Sequence, residues 1–137
     1  MNTVDAKLAP YGVFVLRLGL GSMWIAHALF KYFVITIPGL ASWLGTQGLP
    51  VIFAWPLFIM ELVGGIAILL GLYGRQVSLL LIPILLGATW IHFANGWVFS
   101  NQGGGWEYPI FLVIASLAYA LMGDGVLAIK SRCELIR

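Results

Sequence analysis

Five ionisable side chains lie within the long apolar stretches of this sequence, and they are the residues best able to do chemistry. They are Arg17, His27, Lys31, Glu61 and His92. An ionisable side chain at the centre of a membrane helix costs about 2.5–3.5 kcal/mol on insertion scales, so each needs a polar partner or a water-filled cavity. The set therefore predicts a polar pocket inside an apolar protein.

The residue types in this set indicate hydrogen bonding and proton exchange with a small ligand. An imidazole titrates near neutral pH and both donates and accepts hydrogen bonds. We therefore predict His27, Glu61 and His92 as the catalytic groups. The expected ligand is a quinone, and Arg17 or Lys31 would compensate the charge of its anion.

Other interpretations of the same residues stay open. Glu61 could form an ion pair with Arg17 or Lys31 that only holds helices together, and the histidines could be ordinary interior residues. Axial ligation of a b-type haem requires His27 and His92 to face each other at equal depth, and it is the least favoured interpretation. We predict no metal site, because the sequence has no Cys and His cluster with metal-ligand spacing.

The composition indicates the class of protein in which these residues lie. The 137 residues are 61% hydrophobic and 9% charged, whereas soluble domains carry roughly 25% charged residues. The mean hydropathy is +1.01. These values predict an integral membrane protein and exclude a nucleic-acid binder or a disulfide-stabilised secreted domain. The single cysteine, Cys133, also excludes an internal disulfide and dithiol chemistry.

The chain divides into apolar segments that are each long enough to cross a bilayer, which takes about 20 residues. Pro10 precedes the first segment and Pro38 ends it, and Arg17 interrupts it in a way that disfavours a cleaved signal peptide. The fold class that we predict is all-α, a four-helix membrane bundle forming one domain over residues 1–137. The predicted spans are 11–37, 51–72, 77–97 and 109–129.

Helical periodicity places several of the polar residues on one face of the first span. Arg17, Trp24 and Lys31 recur every seven residues, and His27 precedes Lys31 by four, so we expect this face to point inward. Counted along their helices, the two histidines lie at similar depth in the outer half of the membrane, and Glu61 lies near the middle. A polar pocket opening outward is the expected result.

Basic residues predict how the bundle is oriented, because cytoplasmic connections are enriched in Lys and Arg. If the four spans alternate in direction, all the basic residues outside the spans fall on one side, and the connections 38–50 and 98–108 contain none. We therefore predict cytoplasmic N- and C-termini and a multi-pass protein of the cytoplasmic (inner) membrane. The basic residues counted are Lys7, Arg75, Lys130, Arg132 and Arg137.

Several short motifs together resemble the DoxX family of small four-helix membrane proteins. The most specific is Glu-Leu-x-Gly-Gly at 61–65 followed by Gly-Leu-x-x-Arg at 71–75, in which small residues allow close helix packing. The sequence departs from the family at Ala28, where a glycine would be expected after the histidine. The matching segments are 16–21, 27–31, 48–50, 61–65, 71–75, 92 and 95–96.

The resemblance implies a membrane subunit of the kind found in thiosulfate:quinone oxidoreductase, which oxidises sulfur compounds and passes electrons to a quinone. It adds Asn95 to the candidate residues, so the expected cofactor-binding set is Arg17, Trp24, Lys31 and Asn95. The sequence has no redox-active group of its own, so activity would require a bound cofactor. We expect a protein partner or a homo-oligomer in the lipid bilayer, and the alternative function is a non-catalytic accessory subunit of a larger complex.

Overall fold

The computed structural model of the protein describes residues 5–129. Every regular element among them is helical, which confirms the all-α prediction. The predictions made for Cys133, Lys130, Arg132 and Arg137 lie outside the described residues. The five α-helices are α1 (Ala9–Phe30), α2 (Ile37–Thr46), α3 (Ala54–Leu70), α4 (Gly74–His92) and α5 (Glu107–Met122).

Three of the helical segments are long and apolar enough to cross a membrane. They are Ala9–Ile35, Val51–Leu70 and Gly74–Asn95. Each includes a short extension of an α-helix: a π-helix at Lys31–Ile35 and 3-10 turns at Val51–Phe53 and Phe93–Asn95. Large apolar side chains are exposed on the outer faces, which suits contact with a lipid bilayer.

The last helix is shorter than the sequence predicts. Helix α5 has 16 residues and ends at Met122, so the predicted span of 109–129 is wrong at its end. The physical reason is the turn after the helix, in which Gly123 and Gly125 have φ angles of 92° and 66°. Glycine adopts this left-handed region without steric cost, and the helix cannot continue through it.

Helix α2 lies in the segment 38–50, which the sequence pattern predicts as a simple connection. It starts after Thr36, whose φ of 66° turns the chain sharply and whose hydroxyl accepts a hydrogen bond from the Gly39 amide at 3.3 Å. Three side chains of α2 pack against the start of α3. These are Ile37, Leu40 and Leu44, which form a second small core with Ala54.

Helices α1 and α3 pack as a close pair, as do α4 and α5. A Cβ atom added to Gly65 of α3 would lie 2.8 Å from Cβ of Trp24, and one added to Gly21 of α1 would lie 2.8 Å from Cβ of Leu69. Only glycine permits this separation, which confirms the close-packing role predicted for the Gly-Gly pair. The close approach of α1 and α3 also brings their polar residues together.

Candidate functional site

An ion pair joins the two closely packed helices. Nζ of Lys31, the first residue of the π-helix that extends α1, donates a hydrogen bond to Oε1 of Glu61 in α3. Glu61 is 1% exposed, whereas the Lys31 side chain is 22% exposed. The ion pair that the sequence suggested is therefore made with Lys31. The ion pair therefore has one buried member, Glu61, and one member at the protein surface, Lys31.

Besides Nε of Arg17, two polar atoms of the packed α1 and α3 pair are buried without a hydrogen-bond partner among residues 5–129. They are Oε2 of Glu61 and Nε1 of Trp24. Trp24 packs on Gly65, which lies one helical turn from Glu61 on the same face of α3. An unpaired buried polar atom costs about 1–3 kcal/mol, so a ligand supplying a donor to Oε2 would be stabilising. We call Trp24, Lys31 and Glu61 the Glu61 site.

Aromatic rings flank the Glu61 site. The ring of Tyr32, next to Lys31 in the chain, stacks on Phe58 with centroids 5.2 Å apart and planes 24° apart. Trp55 contacts the same Phe58 ring edge to face at 6.1 Å. Phe58 lies three residues before Glu61 in α3. A partly exposed group of aromatic rings therefore joins α3 to the π-helix at positions close in sequence to Glu61 and Lys31.

The two histidines are not held at the carboxylate. His27 is exposed, donates from Nδ1 to the Met23 carbonyl at 3.0 Å, and stacks on Tyr108 with centroids 5.7 Å apart. His92 is half-buried and donates from Nδ1 to the Ala88 carbonyl at 2.8 Å. Within the described range, neither imidazole hydrogen-bonds to Glu61. The expectation that His27 faces inward with Trp24 is therefore wrong.

Asn95 holds the glycine-rich loop at the end of α4. Its side-chain amide donates to the carbonyls of Gly103 at 3.1 Å and Gly104 at 2.9 Å, and Asn101 donates back to the Asn95 carbonyl at 2.9 Å. Gly104 lies over the ring of His92, where an added Cβ would be 3.4 Å from Cδ2. The structure thus places Asn95 in the loop scaffold, with its side-chain nitrogen engaged.

Arg17 has partners other than Glu61. It is 1% exposed and donates from Nη1 to the Asp124 carbonyl at 2.8 Å and from Nη2 to the Leu127 carbonyl at 3.1 Å. Fourteen residues of helix separate it from Lys31, a rise of about 21 Å. The suggested pairing of Arg17 with Glu61 is therefore wrong, because Arg17 lies toward the opposite end of α1.

The surroundings of Arg17 form a second buried polar cluster. The Tyr119 hydroxyl donates to Oδ1 of Asp124 at 2.5 Å. A Cβ added to Gly71 would lie 2.5 Å from Nη1 of Arg17, and one added to Gly74 would overlap both Tyr119 and Asp124. We call these five residues the Arg17 cluster. It accounts for the two glycines of the Gly-Leu-x-Gly motif at 71–74, which must lack side chains.

Comparison with known proteins decides the family. The DoxX family model matches residues 12–94, which is more than half of the chain. The chain belongs to the DoxX family. The matched segment of this DoxX protein contains every residue of the Glu61 site, as well as His27 and His92.

Two relatives are similar to this DoxX protein over nearly their whole length. A Bacillus subtilis protein named "Putative oxidoreductase CatD" is 29% identical over 123 residues, which cover 90% of this chain and 87% of the relative. A protein of Haemophilus influenzae, described as uncharacterized, is 26% identical over 134 residues, covering 96% and 97%. No solved structure matches the chain.

Two residues of the Arg17 cluster in this DoxX protein were not predicted from the sequence. Tyr119 and Asp124 are buried, at 0% and 7% exposed, and both lie beyond the segment that the family model matches. The acid stands between two glycines, Gly123 and Gly125, at the end of an apolar run. The sequence Gly-Asp-Gly at 123–125 could therefore have predicted that the last helix ends before it.

Proposed function

We propose that this DoxX-family membrane protein is a quinone-linked subunit of a membrane redox system, and that the Glu61 site binds the quinone ring. The observation that carries the proposal is the buried Oε2 of Glu61, which has no partner in the described chain while Lys31 holds Oε1. The name of the Bacillus subtilis relative, an oxidoreductase, supports the same class of function.

The residues present fit a quinone. When bound, a quinone supplies the two-electron, two-proton couple that no side chain of this protein provides. Oε2 of Glu61 would accept a hydrogen bond from a hydroxyl of the reduced ring, the quinol, and would take up the proton of that hydroxyl when the quinol is oxidised. Nε1 of Trp24 is a buried donor of the type that a ring carbonyl accepts. The rings of Tyr32 and Phe58 offer flat faces for stacking.

Lys31 orients the carboxylate in this proposal. Its hydrogen bond to Oε1 leaves Oε2 as the open acceptor of Glu61, and its positive charge compensates an anionic ring. Lys31 is also the first residue of the π-helix Lys31–Ile35. This π-helix is the C-terminal extension of α1 and ends at the turn of Thr36.

His27 and His92 stay predicted proton carriers, although their contacts are with residues outside the Glu61 site. Each donates from Nδ1 to a carbonyl of its own helix, so the neutral ring keeps Nε2 as an acceptor. The proposal also includes a partner protein that delivers electrons, with a reduced sulfur compound as donor class. It places the protein in the cytoplasmic (inner) membrane with both termini in the cytoplasm.

The test is retention of quinone by the purified protein. Wild type extracted in a mild detergent should carry quinone into an organic extract, as measured by mass spectrometry. Glu61→Gln should lose it, because the amide replaces the charged acceptor. Glu107→Gln is the matched control, since Glu107 accepts a loop hydrogen bond from the Phe99 amide at 2.9 Å and lies outside the site. An empty extract from folded wild type would overturn the proposal.

The alternative is a non-catalytic accessory subunit, and one observation favours it. The Lys31–Glu61 pair already ties α1 to α3, which is all that a packing role requires. Under this alternative, wild type and Glu61→Gln carry the same amount of quinone, and a stoichiometric protein partner co-purifies with both. The extraction experiment therefore separates the two functions.

A further inference from the structure

A hollow lies between α2 and the start of α3, outside the Glu61 site. It is an open groove on the protein surface with a volume of about 390 Å³. Its walls are almost entirely apolar. One wall is formed by Ile37, Pro38 and Ala41 of α2, and the other includes Ile52, Ala54 and Trp55.

We infer that this hollow receives the isoprenoid chain of the quinone whose ring binds at the Glu61 site, an inference that rests on the proposed function. A membrane quinone has a flat polar head and a long unsaturated hydrocarbon chain. The Glu61 site offers groups for the head, and the hollow offers an apolar surface of the kind that the chain needs.

A series of aromatic contacts connects the two places. Trp55 lines the hollow and packs edge to face on Phe58, and Phe58 stacks on Tyr32, the neighbour of Lys31. Along α3, Trp55 lies six residues from Glu61, a rise of about 9 Å. An amphiphile with its head at Glu61 can therefore run its chain across this aromatic path into the hollow.

Charge distinguishes a quinone from a phospholipid as the occupant. A phospholipid headgroup carries a phosphate, and its anion would meet the carboxylate of Glu61, whose Oε1 already takes the hydrogen bond of Lys31. Among the described residues, the polar end of the path thus offers no cation that is free of a carboxylate. The neutral head of a reduced quinone, the quinol, carries the hydroxyl donor that Oε2 would accept.

The small side chain of Ala41 provides a way to fill the hollow. Ala41 is half-buried on the α2 wall, so Ala41→Phe places a ring in the space. Ser42→Phe is the matched control, because the adjacent residue is exposed and adds the same ring to the same helix outside the hollow. If Ala41→Phe does not fold, Ile52→Trp at the exposed rim replaces it.

The experiment compares quinones with and without a chain in bilayer nanodiscs, using quenching of tryptophan fluorescence. All probes are kept reduced, so that their rings carry hydroxyl donors: menadiol and dimethoxymethylhydroquinone are the chain-free probes, and menaquinol and ubiquinol are the prenylated ones. Affinities are expressed per mole fraction in the bilayer, so that partitioning cancels. Wild type should bind the prenylated ring of its preferred class about tenfold more tightly than the chain-free ring.

Ala41→Phe should remove most of this tenfold gain while leaving chain-free binding unchanged, and Ser42→Phe should change neither. Equal affinities for prenylated and chain-free rings in wild type, with both lost in Glu61→Gln, would overturn the inference and leave the proposed function standing. Failure of wild type to bind any of the probes would overturn both. Release of a phospholipid by Ala41→Phe, with quinone affinity unchanged, would assign the hollow to lipid and also overturn the inference.

Discussion

The Arg17 cluster and the Glu61 site are two solutions to the same problem, a charged side chain buried in an apolar bundle. Each leaves one polar atom of that side chain without a partner in the described chain, Nε at Arg17 and Oε2 at Glu61. At Arg17 the neighbouring glycines leave no room even for a methyl group. At Glu61 the partner lysine is 22% exposed, so the ion pair extends from the buried carboxylate to the protein surface.

The comparison indicates that an unpaired buried atom is a candidate for ligand binding only where its surroundings leave space for a ligand. The Arg17 cluster ties the segment after α5 to α1 through backbone carbonyls, and its Tyr119–Asp124 bond lies in the interior. It therefore acts on stability. The Glu61 site combines an open acceptor with aromatic flanks and partial access, and it therefore should act on binding.

The largest loss of stability is expected from Arg17→Met. Removing the guanidinium leaves the carbonyls of Asp124 and Leu127 without a donor, and each stranded carbonyl costs about 1–3 kcal/mol. We expect a loss of about 3 kcal/mol, measured as a large drop in Tm by intrinsic tryptophan fluorescence in detergent. Arg75→Met is the control, since Arg75 is exposed and makes a long hydrogen bond of 3.4 Å to Leu121. Equal Tm values for the two variants would contradict a stabilising role of the Arg17 hydrogen bonds.

A smaller loss is expected from Gly74→Ala. The added methyl would overlap the Tyr119 hydroxyl and the Asp124 carboxylate, so their hydrogen bond must shift. Overpacking of this kind costs about 1–3 kcal/mol. Gly19→Ala is a matched control on α1, where an added Cβ meets nothing within 4 Å. The comparison of the two regions fails if Gly74→Ala is as stable as Gly19→Ala.

The spans could be predicted from the sequence, whereas α2 could not. Apolar runs of bilayer length with Pro and Gly at their ends are visible in composition alone. The segment 38–50 is apolar as well, and in a protein this hydrophobic its pattern does not separate a short helix from a connection. The start of α2 depends on the left-handed φ of Thr36, a backbone property that residue types at 36–39 do not reveal.

Helical periodicity predicts the burial of some polar residues of α1 correctly and of others wrongly. The heptad spacing of Arg17 and Trp24 correctly predicts two buried side chains. His27 is rotated by about 60° from Trp24 at 100° per residue, which is enough to move it to the exposed edge. The partners of Arg17 escaped prediction because they are main-chain carbonyls, and a carbonyl carries no sequence signature.

Replacing the Lys31–Glu61 ion pair by apolar residues separates its effect on stability from its effect on quinone binding. In Lys31→Met alone, Glu61 stays buried and loses its hydrogen bond from Nζ. We expect the free energy of unfolding to fall by about 1–2 kcal/mol, which is less than for a fully buried pair because Lys31 is partly exposed. In the double variant Lys31→Met with Glu61→Leu, stability should return, since well-packed apolar residues often replace buried ion pairs without loss. Quinone should be absent from both preparations. A double variant that retains quinone would contradict the assignment of the ring to this site.

The smallest effect is expected from His27→Phe. Its hydrogen bond goes to the carbonyl of Met23 one turn away in its own helix, and a phenyl ring preserves the stacking on Tyr108. We therefore expect a change in stability within the range of ordinary surface substitutions, about 0.5 kcal/mol or less, measured as Tm, and unchanged quinone content. A variant that folds normally but loses quinone would show that the imidazole contacts the ring, as the sequence predicts. The Glu61 site would then have to include His27 and the α5 residues beside it.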